Sequence, residues 1–194
     1  MSSLDSFKVF KDYIKRFVLE DQELQKLIYY PYSTCLDENN LANPFDIFSE
    51  ETATDNENGV HGVLLFKRQS DIVMNAEMPL VLVSFENAKK SKEFSNIYII
   101  FKIICKGNNI QELENGDSRI YSIQRKINDN FAMANVNGLG QVEENSFKEL
   151  SINSNNDAML LMYKAYSFNS NISTNKNFKK RMFGDNYANW WFRI

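Results

Sequence analysis

The sequence predicts an α+β fold, in which an antiparallel β-sheet has one or two helices packed on one face, plus a long acidic loop and a C-terminal arm. Residues 96–107, NIYIIFKIICKG, alternate with a period of two, which is typical of a strand. Two other segments repeat apolar residues at helical spacing. Their order along the chain is helix, three strands, helix and two strands, which favours α+β over a regularly alternating α/β fold.

The N-terminal segment predicts two helices. In residues 4–19 apolar side chains recur every three or four positions, at Phe7, Phe10, Ile14 and Phe17, and Ser3 can act as the N-cap. Asp21 is placed to cap a second, shorter helix that Pro31 ends.

Residues 36–61 predict a long loop or arm. They contain seven acidic residues and no Lys or Arg, without periodic apolar residues. Loops of this length are uncommon in a compact domain unless they are disordered or held in place. The apolar residues Phe45, Ile47 and Phe48 are expected to anchor this arm, and a disordered, solvated loop is the alternative.

Three strands, a helix and two strands are predicted to follow. The first strands cover 62–74, 79–88 and 95–106, joined in antiparallel order as the simplest connection. Asp117 or Ser118 then caps a helix whose apolar stripe consists of Ile120, Ile123, Ile127 and Phe131. Residues 138–150 and 157–168 return to strand, and both faces of the last strand are partly apolar.

The strand at 95–106 carries large apolar side chains on both faces, whereas a simple two-layer domain buries only one face of its sheet. Its core face is formed by Ile97, Ile99, Phe101, Ile103 and Cys105. The opposite face, which water would normally cover, also carries large apolar side chains. We expect Tyr98, Ile100 and Ile104 to contact another subunit.

Composition argues against several classes of protein. The formal net charge of −3 does not suit a protein that binds nucleic acid through overall charge. No segment reaches the roughly 18 apolar residues that cross a bilayer, and the first residues lack the features of a secretory signal. Cys35 and Cys105 are expected to be reduced thiols, Cys105 buried in its strand, because two distant cysteines make no disulfide framework.

The residue patterns predict no catalytic or metal site and no cofactor. His61 is the sole histidine and has no recognisable nucleophile motif to serve, and it cannot complete a zinc site with two distant cysteines. Asp71, Glu86 and Lys89 come nearest to a nuclease motif, but the lysine follows the acid by three positions instead of two. No glycine-rich phosphate loop is present. We therefore expect a protein without enzymatic activity.

Two basic features suggest contacts with partners. Lys89, Lys90 and Lys92 fall in a predicted hairpin loop; they can be an ordinary solvated turn, or they can face DNA inside a ring. Residues 169–194 combine basic residues with aromatic ones, which predicts a docking arm separate from the 1–168 core. Its expected contact residues are Phe178, Phe183, Tyr187, Trp190, Trp191 and Phe192. The alternative is that this tail completes the core of its own subunit.

The order of elements over residues 4–168 resembles the tail-terminator and head-to-tail joining proteins of tailed bacteriophages. The resemblance rests on these segments: LEDQELQKLIYYPYS, PLVLVSFENAKKSKEFSNIYIIFKIICKG, ELENGDSRIYSIQRKINDNF, NGLGQVEE and LLMYKAYSF. It depends on their order and spacing, because no single motif is strongly specific. The acidic arm at 36–61 and the aromatic tail after 168 are longer than the core of that family needs, and a neck or connector ring of a short-tailed phage is therefore the alternative within the resemblance.

The resemblance implies a small non-enzymatic subunit of the virion. Such a subunit forms a homo-oligomeric ring at the junction of portal and tail, is assembled in the host cytoplasm, and contacts the portal or adjacent neck and tail proteins. DNA passes through such a ring without sequence-specific contacts. A phage-encoded inhibitor or adaptor that binds a host protein through the same apolar surface is the alternative.

Overall fold

The computed structural model describes residues 3–48, 62–65, 79–90, 94–106, 112–132, 134–136, 140–153 and 156–168. Within them the α-helices are α1 (Ser3–Glu20), α2 (Gln22–Tyr29) and α3 (Arg119–Phe131), and a 3-10 helix covers Pro44–Ile47. The strands are β1 (Gly62–Leu65), β2 (Leu80–Lys90), β3 (Phe94–Lys106), β4 (Asn135–Val136), β5 (Gly140–Asn153) and β6 (Asn156–Phe168). The predicted α+β class is confirmed.

The strands pair in the order β1-β2-β3-β6-β5, with the two-residue strand β4 beside the start of β5. The predicted purely antiparallel sheet is wrong at one edge, because β1 runs parallel to β2, with Gly62 beside Leu80. Parallel neighbours are joined by a connection that returns along the sheet, whereas a hairpin would reverse the chain direction. Val63 and Leu64 are both buried although they point to opposite faces, a pattern common in parallel strands.

All three helices contribute to the core on one face of the sheet. Phe10, Ile14 and Phe17 of α1 are buried there, and so is the predicted α3 stripe of Ile120, Ile123, Ile127 and Phe131. The Phe131 ring lies at the centre of an aromatic cluster. Its centroid is 5.2 Å from that of Phe101 and 5.0 Å from that of Tyr163. Such edge-on pairs add to the free energy gained by burying the rings.

Asp21 links α2 to α3. Its Oδ1 accepts a hydrogen bond of 3.0 Å from the backbone N–H of Leu24, which confirms the predicted cap. Lys126 of α3 lies 3.8 Å from the same oxygen, and Asn130 donates to Oδ2 at 3.3 Å. One side chain therefore satisfies a free helix N–H and also fixes the angle between two helices.

Arg119, the first residue of α3, is fully buried. Its guanidinium donates to the carbonyl oxygens of Leu27 at 3.5 Å, Tyr30 at 2.6 Å and, at short range, Tyr32. These contacts hold the chain as it leaves α2. Burial lowers the pKa of Arg119 and raises that of the neighbouring Cys35, although Arg119 opposes the latter shift. Cys35 and Cys105 are both buried and form no disulfide with each other, and the burial of Cys105 agrees with the prediction.

Candidate interaction surface

The face of the sheet opposite the helices is called the open face here. It is formed by alternate residues of β2, β3, β6 and β5, which line up across the strands because these neighbours pair antiparallel. The registered positions form three rows: Glu86-Tyr98-Lys164-Glu143, Ser84-Ile100-Met162-Ser146 and Leu82-Lys102-Leu160-Lys148.

One end of the open face is buried within the single chain. A small cluster there, separate from the main core, consists of Leu64, Leu80, Leu82, Ile104 and Ala158. Ile104 is only 1% exposed. The expectation that Ile104 contacts another subunit is therefore corrected: this side chain has no surface left for a partner to cover, and its burial is supplied by its own chain.

The middle of the open face is only half-buried. Tyr98 and Ile100 of β3 and Leu160 and Met162 of β6 each keep part of their surface exposed. We call these four residues the apolar centre. Ile100 lies directly beside Met162 in the register, and Asn145 of β5 donates to the Met162 sulfur at 3.5 Å. Exposed apolar area of this kind is typical of a surface that binds another protein.

Charged residues surround the apolar centre. Lys164 lies between Glu143 on one side and Tyr98 on the other, with Glu86 beyond, so positive and negative groups share one row. Lys102 is half-buried beside Leu82 and Leu160, and this burial lowers its pKa. Apolar residues at the centre with charged residues around them are also the arrangement found in many protein–protein contacts.

The three predicted arm anchors differ in how deeply they are buried. Ile47 is fully buried and Phe48 is buried at the edge of the main core, whereas Phe45 is 63% exposed. Gly62 adopts a φ of +90°, and a Cβ there would collide with the carbonyl oxygen of Ile47. The 3-10 helix is thus held against β1 and the core of its own chain, and only Phe45 remains available to another molecule.

Several predicted sites fall wholly or partly outside the described residues. Lys89 and Lys90 end β2, but their side chains, like the whole of Lys92, are not described. The same holds for His61, Asp71 and the whole C-terminal segment with its docking residues Phe178, Phe183, Tyr187, Trp190, Trp191 and Phe192. Glu86 is exposed on the open face.

The described residues contain no group of three or more acidic, His or Cys side chains able to hold a metal ion. Among the same residues, none of the helices combines the length and the apolar character needed to cross a membrane.

Sequence reasoning missed half of the apolar centre. It noted that both faces of the 157–168 segment are partly apolar but did not single out Leu160 and Met162. The signal was the same one that marked Tyr98 and Ile100, an apolar residue at every second position on the outward face. What was missing was the strand order, which places β6 directly beside β3.

These features define an α+β subunit with an open mixed sheet and a half-exposed apolar centre on its free face. The model of the YomW family matches residues 21–165, about three quarters of the chain. The chain therefore belongs to the YomW family. The name of this family is of the Bacillus prophage type, and membership of the family makes the chain a phage-associated protein. No curated protein matches the sequence.

Proposed function

We propose that this protein is a structural component of a phage virion that forms a homo-oligomeric ring at the junction of portal and tail. Its subunits contact one another through the apolar centre of the open face. The protein carries out no reaction and needs no cofactor. Its partners are other copies of itself and the portal or adjacent neck and tail proteins.

The observation that carries this proposal is the division of the open face. A subunit that works alone gains stability by covering or replacing its exposed apolar side chains, as it does at the Ile104 end. At Tyr98, Ile100, Leu160 and Met162 the chain leaves such side chains partly exposed in adjoining positions of two central strands. A neighbouring subunit would remove this area from water.

Two further points support the ring. Family membership associates the protein with phages, and the order of its elements resembles head-to-tail joining proteins. In such a ring Lys89, Lys90 and Lys92 would face the lumen and contact passing DNA electrostatically, without sequence specificity. The segment after residue 168 would reach a neighbouring virion protein.

The oligomeric state of variants tests the proposal. We expect the purified chain to elute with a mass several times its subunit mass of 22.6 kDa. Ile100→Asp and Met162→Asp, separately and together, should give folded monomers, because each would bury an uncompensated charge at the contact. Ile104 is not used, since an Asp at a position buried in the subunit would unfold it. Circular dichroism verifies folding.

Tyr32→Asp is the matched control. Tyr32 is an exposed aromatic residue on the loop after α2, on the helix side of the sheet, and its replacement should leave the mass of the oligomer unchanged. A wild-type protein that is monomeric throughout the micromolar range would overturn the ring. If that monomer captures a host protein through Ile100, the adaptor function replaces it.

A further inference from the structure

The outer edge of β5 is paired with another described strand only at its start. On its inner side the strand pairs with β6 over nearly its whole length. On its outer side β4 pairs only with Gly140 and Gln141, and the N–H of Val142 donates to the Ala134 carbonyl at 2.9 Å. From Glu143 onward, no other strand of the described chain pairs with this edge. Free N–H and C=O groups along an edge are a template for an added strand.

The side chains of β5 are exposed on both faces of the sheet. Residues 143–149 are all exposed, although successive residues point to opposite faces. On β6 the partners Met159 and Leu161 are buried by the helix layer. The helix layer therefore covers the start of β5, where Val142 is buried, but leaves residues 143–149 exposed. Phe147, on this strand, is 57% exposed.

An aromatic and acidic surface lies along this edge. The hydroxyl of Tyr121, a residue of α3 that is 47% exposed, donates to Glu149, and this bond raises its pKa. Glu149 and Phe147 are two positions apart and share the helix-side face, so Tyr121 and Phe147 lie on the same side of the strand. Glu143 and Glu144 add two more acids, and Lys148 is the one basic residue within 143–149.

The edge of β5, its acidic residues and its exposed rings together favour one kind of binding partner. Backbone pairing requires an extended segment, the acids favour a basic one, and the exposed rings favour aromatic side chains. The chain itself contains such a segment at residues 177–183, NFKKRMF, with Lys179, Lys180 and Arg181 between two phenylalanines. It begins nine residues after β6 ends, enough extended chain to span about 30 Å.

We propose that the outer edge of β5 binds residues 177–183 of a neighbouring copy as an added β-strand. A neighbouring copy is chosen as the source of the segment because the proposed homo-oligomer places other copies beside this sheet. This inference rests on the proposed homo-oligomer and names a second contact within it. The arm of each subunit thus joins the sheet of the next, and Lys179, Lys180 and Arg181 meet Glu143, Glu144 and Glu149.

Cross-linking of mixed subunits tests the contact. One full-length chain carries Ser146→Cys and a second carries Met182→Cys, whereas the native Cys35 and Cys105 are buried. The two are co-expressed and treated with a bifunctional maleimide. We expect a covalent dimer that contains one chain of each kind. Tyr32→Cys, exposed on another surface, replaces Ser146→Cys in the control and should give none.

Each result decides between the hypotheses. Intact oligomers without the mixed dimer would overturn this inference and leave the ring standing. A link formed within one chain carrying both substitutions, and none between chains, would also overturn it. A protein that is monomeric under all conditions would remove both the ring and the exchanged strand.

Charge reversal tests recognition by a separate route. Changing Lys179, Lys180 and Arg181 together to Glu should reduce the cross-linking yield by about tenfold or more. Changing Glu143, Glu144 and Glu149 to Lys should do the same, and the two reversed chains mixed together should recover most of the yield. Failure of the mixture to recover would show that these charges do not meet.

Discussion

The two faces of this sheet are built from similar strands and are treated very differently by the rest of the chain. On the helix-covered face burial is continuous from Val63 in β1 to Val142 in β5, and an aromatic cluster around Phe131 fills the centre. On the open face one end is buried around Ile104, and the middle, around Ile100, is half-exposed. Ile99 and Ile100 are chemically identical neighbours with different surroundings.

The contrast distinguishes the residues that stabilise the subunit from the apolar residues that remain partly exposed. The helix-covered face holds the subunit together, because its side chains have already lost their contact with water. The residues of the apolar centre keep part of their contact with water, so we expect them to contribute less to folding. Substitutions on the two faces should therefore differ in size and also in which measurement they change.

The largest expected effect is on the helix-covered face. Phe131→Ala should lower the free energy of unfolding by about 3–5 kcal/mol, because it opens a cavity between the rings of Phe101 and Tyr163. Tyr121→Ala, on the exposed side of the same helix, is the control and should have a much smaller effect. Urea denaturation measures both. Equal losses would show that Phe131 is not at the centre of the core.

A second pair compares one basic residue from each side of the sheet. Arg119→Met should cost about 2–4 kcal/mol, because it removes the donor that serves the carbonyls of Leu27, Tyr30 and Tyr32. Lys102→Met on the open face should change stability by about 1 kcal/mol at most. Thermal denaturation at fixed protein concentration compares the two variants. A smaller loss of stability for Arg119→Met than for Lys102→Met would contradict the role of Arg119 in holding the chain after α2.

The sign of the Lys102 effect follows from its pKa. Burial lowers the pKa in the folded chain, so the unfolded chain binds the proton more tightly. The charge on Lys102 therefore opposes folding at neutral pH, and this opposition fades as the pH rises through the folded pKa. Lys102→Met should remove the penalty, so its advantage over wild type should shrink at alkaline pH.

A third pair lies entirely on β3. Ile104→Ala should cost about 2–4 kcal/mol in the monomeric subunit, because Ile104 is buried by its own chain. Ile100→Ala should cost about 1 kcal/mol or less in the same assay, because part of its surface is already exposed. Ile100→Ala should have its larger effect on assembly, as a lower mass of the oligomer at low protein concentration. If both substitutions acted only on stability, the apolar centre would be ordinary core.

The smallest effect concerns the joint between α2 and α3. Asp21→Ala should cost about 1 kcal/mol by removing the cap on the Leu24 N–H. Asp21→Asn should cost less, because an amide oxygen can still cap the helix but has no charge to attract Lys126. Chemical denaturation of the two variants separates these contributions, and identical losses would show that the charge dominates.

The sequence predicted the elements of the helix-covered core with few errors. The helical spacing of Ile120, Ile123, Ile127 and Phe131 fixed both the helix and its buried face, and Asp21 marked the start of α2. These patterns are reliable because they are local: a helix brings residues three and four apart onto one side whatever lies around it.

The open face shows where local reasoning ends. Period-two alternation identified Tyr98, Ile100 and Ile104 as outward-facing, and it could not tell that Ile104 is covered and Ile100 is not. That difference depends on β1 lying parallel beside β2 and on β6 lying beside β3. Both pairings join residues far apart in the chain, so no short window of sequence contains them.

By itself, then, the sequence determined which residues turn inward, because side-chain periodicity is a property of the local backbone. Only the tertiary structure decided which outward-facing residues are covered, since that depends on which strands become neighbours and where the helix layer ends. The exposed β5 edge is the clearest case. Its sequence, EENSFKE, reads as an unremarkable polar strand. Only its position as an outer strand of the described sheet distinguishes it, with Phe147 57% exposed.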